Sequence, residues 1–109
     1  MTSPAMLIVT VDAPPGREVA TVLGLAKGST VRAKHIGSDI VASLRNLVGG
    51  EVKEYGALLT GAREQAIDRM VADARAMGAD AVVGMRLETS HIAQAASEVV
   101  AYGTAVTLR

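Results

Sequence analysis

Apolar positions recur along the chain in two rhythms, one of period two and one near 3.6, and the points where the rhythm switches divide the chain into elements. Met6–Val11 reads Met-Leu-Ile-Val-Thr-Val, a short β-prone run. Asp12-Ala13-Pro14-Pro15-Gly16 ends it, because proline withdraws donors and glycine permits a tight turn. Glu18–Ala26 alternates, with Val19, Thr21, Leu23 and Leu25 on one face, and predicts a second strand. Gly28 and Ser29 punctuate it, and Thr30–Lys34 extends or restarts it.

Helical spacing then takes over. Ser38 and Asp39 can accept the free N–H groups of a first turn, and Asp39 suits the positive end of a helix dipole. Ile40, Val41, Leu44, Leu47 and Val48 continue at that spacing until Gly49-Gly50, a pair whose backbone freedom disfavours a helix interior. A longer helix is predicted over Lys53–Met77, with Leu58, Leu59, Ala62, Ala66, Ile67, Met70, Val71, Ala74 and Met77 as its apolar stripe. Arg63, Glu64, Asp68, Arg69, Asp73 and Arg75 take the other sides. Gly61, in mid-helix, costs about 1 kcal/mol relative to alanine, and close packing against another element is the expected reason. Gly78 is placed to form a left-handed cap.

Ala81–Thr89 is the clearest strand, Val83, Met85 and Leu87 alternating with Gly84, Arg86 and Glu88. Ser90–Ser97 reads as a loop. Val99–Leu108 is the last strand, with Val100, Tyr102, Val106 and Leu108 on one face and little polarity difference between faces, as expected for a strand with neighbours on both sides. The order β-β-α-α-β-β predicts an α+β fold: a mostly antiparallel four-stranded sheet packed on two helices, one domain over residues 1–109.

Composition changes this picture in one respect. There is no Phe, Trp or Cys, and Tyr55 and Tyr102 are the only Tyr residues, so Ala, Val, Leu, Ile and Met must fill the core. Alanine lets elements approach closely but buries little area. With 50% hydrophobic and 20% charged residues, a lone copy would leave apolar surface uncovered, and self-association is the expected resolution. Eleven basic residues balance eleven acidic ones, which gives no basic footprint for nucleic acid. No apolar run approaches the ~20 residues of a membrane helix. Met1–Met6 has no basic stretch ahead of an apolar run, so no signal peptide is expected and the expected compartment is the cytoplasm.

Several short motifs carry a resemblance. Arg45-Asn46-Leu47-Val48-Gly49-Gly50, Tyr55, Ala62-Arg63-Glu64-Gln65-Ala66, Ala74, Gly78-Ala79-Asp80-Ala81-Val82-Val83-Gly84 and Gly103-Thr104-Ala105-Val106 together resemble the YbjQ-like family of small bacterial and archaeal proteins, over about Ala20–Arg109. The resemblance singles out Arg45, Gly49, Gly50, Tyr55, Arg63, Gly78, Asp80 and Gly84 as motif positions. It implies a subunit similar to dodecins, a sheet cradling helices, that assembles into homopentameric rings, and it brings the family label "putative heavy-metal-binding". Ala33-Lys34-His35-Ile36 and the Pro-rich first turn depart from the commoner family start.

Candidate chemistry is sparse. Soft metals favour thiolate and thioether ligands. With no Cys, and with Met70, Met77 and Met85 on apolar faces, core filling is the expected role of the thioethers. His35 and His91 are the only imidazoles and the weak metal candidates, to be gathered as copies around a ring axis. Gly49-Gly50 before a helix, with Arg45 and Arg63, could hold an anion, but a helix-to-helix turn is the expected role. The arginines are expected to pair with Asp80 or Glu64. A dodecin-like flavin storage role would have to use Tyr102 or Tyr55 in place of an indole. No catalytic constellation is present, so no enzyme and no certain cofactor are expected, with a metal ion as the one possible exception. The expectation is an oligomeric binding or scaffold protein holding a small ligand or metal ion between subunits, the alternative being a purely structural assembly partner.

Overall fold

The computed structural model describes residues 5–33, 53–93 and 96–109. Within them run β1 (Leu7–Ile8), β2 (Val19–Ala33), α1 (Lys53–Ala76), β3 (Ala81–Ala93) and β4 (Ala96–Leu108). The four strands form one sheet in the order β1-β3-β4-β2. β4 is antiparallel to both β2 and β3, while β1 is parallel to β3. The sheet is therefore mixed, which corrects the mostly antiparallel expectation at its β1 edge. The cause is the return path. A turn closed by the Arg17 N–H on the Pro14 carbonyl at 3.1 Å carries the chain back to the end it left. β2 then sets off in the direction of β1, with β3 and β4 between them.

One helix lies among the described residues. The first predicted helix, with its Ser38/Asp39 cap and Gly49-Gly50 stop, falls outside them. α1 follows the predicted stripe: Ala62, Ala66, Met70 and Ala74 are fully buried, and Ile67, Val71 and Met77 pack around them. They meet Ala26, Val99, Ala101 and Ala105 of β2 and β4 and Val82 of β3. A smaller cluster of Ala81, Val83 and Val106, with Val9, Val19 and Leu108, lies on the other face; adjacent Val82 and Val83 point to opposite sides, as the pleat requires.

The helix ends as predicted. Gly78 has φ +85°, the Gly78 N–H donates to Arg75 O at 3.0 Å, and the Ala79 N–H donates to Ala74 O at 3.1 Å. That pair of bonds defines a Schellman cap, whose left-handed residue is normally glycine. Asp80 follows. Its N–H donates to Val106 O at 2.9 Å, and its Oδ2 accepts the Leu108 N–H at 2.9 Å. The partner of that carboxylate is not a neighbouring turn but a backbone N–H 28 residues away in sequence. Asp80 thereby clips the end of β4. Asp80→Ala should lower stability by about 1 kcal/mol, the net worth of one such bond. A thermal melt superimposable on wild type would contradict this role.

Three boundaries differ from the sequence reading. Gly28-Ser29 does not interrupt β2, which runs unbroken to Ala33 because Gly28 sits beneath the helix as an extended residue. Within the segment read as a loop, Ser90–Ala93 and Ala96–Ser97 are strand. Thr89↔Val99, Ser90↔Glu98, His91↔Ser97 and Ala93↔Ala96 continue the β3–β4 ladder. Ser90, His91 and Ile92 are exposed, so the alternation that marks a half-buried strand is absent although the backbone pairing persists. Leu25, expected to share a face with Val19 and Leu23, is 58% exposed. Register shifts between Val19 and Thr21 and between Val22 and Gly24 re-aim the side chains that follow.

Candidate functional site

Beyond those shifts β2 alternates cleanly: Ala26, Gly28 and Thr30 are buried toward α1, while Leu25, Lys27, Ser29 and Val31 are exposed on the other face. Arg32 continues the buried series. Its register partner is Ser97 on β4, whose partner on β3 is His91. Arg32, Ser97 and His91 thus form one row across three strands on the helix side of the sheet. The row before it is Thr30, Val99 and Thr89.

Gln65 reaches down from α1 onto this surface. Its Oε1 accepts the Thr30 hydroxyl at 2.7 Å and the Arg32 Nη2–H at 3.0 Å. A guanidinium can only donate, which fixes the amide orientation. Thr30 is 4% exposed. One turn earlier on α1, Gly61 leaves room: a Cβ there would have Arg32 Nη2 as its nearest neighbour, at 4.0 Å. The close packing expected for Gly61 is not seen: a methyl group there would meet only the tip of the Arg32 side chain, at the outer limit of ordinary contact. At the far end of the row, the His91 Nδ1 and Ser97 Oγ lie 3.2 Å apart.

The Arg32 Nε is buried and, among the described residues, has no hydrogen-bond partner. It lies on the same edge of the guanidinium as Nη2, so the two N–H groups make the fork that carboxylates and phosphates accept side-on. Leaving such a donor buried and unmet is unfavourable by about 1–3 kcal/mol, more for a charged group. Chemically, the guanidinium is half-satisfied, with one charged donor left without an acceptor among the described residues, between the strands and the Gly61–Gln65 turn.

The residues singled out from sequence divide differently. Gly78 and Asp80 build the helix exit. Gly84, at φ +61°, donates its N–H to Val11 O at 2.8 Å and sits where the β3–β4 register shifts between Val83 and Arg86. Arg63 is exposed on α1, and the Asp80 Oδ2 proposed for it is engaged by Leu108. Tyr55 lies within α1. Arg45, Gly49, Gly50 and His35 lie outside the described residues. Tyr102 bonds Glu88 Oε1 at 3.3 Å on the sheet face away from α1, so it does not join the Arg32 row. Of the candidates, only His91 belongs to that row. Thr30, Arg32, Gln65 and Ser97 were missed, although the Thr30/Arg32 pair at i,i+2 and the Gly61/Gln65 pair at i,i+4 are each visible once the strand is carried past Gly28.

The donors present test a heavy-metal centre. Among the described residues no group of three or more His, Asp or Glu side chains comes together, and there is no Cys. Met70 is fully buried, and Met77 and Met85 pack on the same core, as expected of gap-filling thioethers. The described part of a single chain does not fit a soft-metal site. Also among the described residues, no helix is long and apolar enough to cross a membrane.

Comparison with known proteins places these features in context. Residues 6–109 match the YbjQ family model, whose description is "Putative heavy-metal-binding". The chain is 59% identical over 103 residues to a UPF0145 protein of Halobacterium salinarum, covering 94% of this chain and 99% of that one. It is 54% identical over 101 residues to a UPF0145 protein of Methanosarcina acetivorans, covering 93% and 95%. It is 53% identical over 103 residues to one of Thermus thermophilus, covering 94% and 90%. Among solved structures it is similar to a protein of unknown function from Pediococcus pentosaceus in the DUF74 family, with TM-score 0.62 and 16% identity over 95% of this chain and 98% of that one. That likeness concerns the fold alone.

Proposed function

The chain belongs to the YbjQ family, matching its UPF0145 members over nearly its whole length, and from that premise we propose that it is a self-associating binding protein for a small oxyanion, anchored by Arg32. The observation that carries this reading is the buried Arg32 Nε–H, unmet beside an Nη2 already aligned by Gln65. A carboxylate or phosphate would complete the fork, with Ser97 and His91 continuing the polar row toward solvent. A metal role would need donors from several copies, since one chain's described residues do not gather them.

Self-association, as the homopentameric ring the family resemblance implies, belongs to the same proposal. Leu25, Val31 and Ile92, at 58, 54 and 55% exposed, stand on the face away from α1. The rival reading is a purely structural assembly partner with no small ligand.

Titration of the purified full chain with inorganic phosphate tests the proposal. Wild type should bind saturably. Arg32→Lys, which keeps the charge but loses the planar fork, should weaken binding at least tenfold, and Arg32→Met should abolish it. Arg32→Met should also leave the melting temperature unchanged or raised, because it removes an unmet donor. Equal phosphate affinity in all three proteins would overturn the reading.

A further inference from the structure

β2 is the element most open to another strand. It runs for 15 residues and, among the described residues, has a strand, β4, on one side only. It contains no proline, and Val22, Leu25 and Val31 are 65, 58 and 54% exposed. A long, apolar, unpaired edge of this kind is a template for strand addition and aggregation. In an antiparallel ladder, successive residues turn their N–H and C=O alternately toward the partner strand and away from it.

Two of the edge groups are already taken. The Lys27 N–H donates to Asp73 Oδ2 at 3.0 Å, and the Ser29 C=O accepts from Arg69 Nη1 at 2.7 Å. Both partners come from α1. Asp73 and Arg69 lie four residues apart, on one side of the helix and one turn from each other. Lys27 and Ser29 lie two residues apart on the strand. A helical turn of about 5.4 Å and a two-residue strand step of about 6.7 Å nearly match, so one acceptor and one donor meet the edge together. Gly28, between the two bonded positions, lets the helix come close enough. A Cβ there would collide with Met70 N and Ala66 O and lie 2.7 Å from Arg69 C.

We infer that Asp73 and Arg69 stand in for a neighbouring strand and close the middle of the β2 edge, so that copies of the chain do not join by adding strands there. A short carboxylate and a long guanidinium supply what the backbone of such a strand would supply. Because both are side chains, the substitute ends after one turn and does not propagate into a further edge. The inference is independent of the anion proposal, since it involves neither Arg32 nor its row.

Amide hydrogen exchange and light scattering on the full chain test it. In wild type the Lys27 amide should be protected although its strand is at an edge. In Asp73→Ala it should exchange at least tenfold faster, while the Gly28 amide, turned toward β4, keeps its protection as the internal control for folding. Asp73→Asn, which keeps an acceptor oxygen, should retain most of the Lys27 protection. The Arg69→Ala/Asp73→Ala double variant should form particles that grow with concentration and bind thioflavin, whereas wild type keeps one size over the same range. Unchanged Lys27 exchange in Asp73→Ala would overturn the inference. So would a crystal in which Lys27–Ser29 pairs with a strand of a neighbouring copy. If the double variant fails to fold, the ratio of Lys27 to Gly28 exchange in Asp73→Ala decides alone.

Discussion

Gly28→Ala should cost the domain about 3 kcal/mol and lower its melting temperature by about 15 °C. The methyl group has nowhere to go. Its nearest neighbours are backbone atoms of α1, Met70 N, Ala66 O and Arg69 C, and not the far ends of flexible side chains. Relief requires the helix to lift from β2. That would open the interface of Ala62, Ala66, Met70 and Ala74 with Ala26, Ala101 and Ala105. Overpacking typically destabilises by about 1–3 kcal/mol, and a rigid obstacle places this case at the upper end. In a domain of this size each kcal/mol moves the midpoint by about 4–8 °C. Calorimetry of the variant against wild type checks the value. A loss below about 3 °C would mean that helix and strand do not approach as closely as described.

Met70→Ala should have a comparable effect, about 4 kcal/mol. Met70 is fully buried and is among the largest side chains so enclosed. Truncating a buried methionine to alanine usually destabilises by about 2–5 kcal/mol, less where neighbours collapse into the space. Here they cannot. Ala26, Ala66, Ala74, Ala101 and Ala105 in the same cluster have no rotamers with which to fill a void. Met70→Leu, nearly equal in volume, should cost less than about 1.5 kcal/mol. Urea denaturation separates the two: the midpoint should fall sharply for alanine and slightly for leucine, with the slope unchanged. Similar midpoints for both variants would show that the cluster repacks.

The same small side chains explain what could be read from the sequence and what could not. The stripe from Ala62 to Met77, the Gly78 cap and the β3 and β4 cores rest on local patterns, and the fold follows them. Gly28 read as punctuation because a glycine looks alike whether it turns a chain or admits a helix, and only the tertiary packing tells which. The Ser90–Ser97 segment lost its strand signature because side chains on both faces of the pleat meet solvent. The parallel β1 could not be inferred from order alone, since a short break normally joins antiparallel neighbours. The Arg32 row is hidden for a different reason: it is assembled from three strands, and its members are unremarkable singly. His91 was visible as a rare residue, and Asp80 as a motif position. The partners that give them meaning lie 6 and 28 residues away.

The sheet order has a consequence for how the chain acquires its shape during synthesis. β4 follows every other strand in sequence yet lies between β2 and β3. Among the described strands, β2 has none to bond until β4 has been made, and β3 has only the two-residue β1. The early part of the chain must therefore wait, its apolar strand unpaired, for a segment made some seventy residues later. Topologies dominated by such distant pairings fold slowly and stay exposed to wrong partners meanwhile. For this chain the vulnerable species is the nascent one, and any helper that shields β2 acts before β4 arrives.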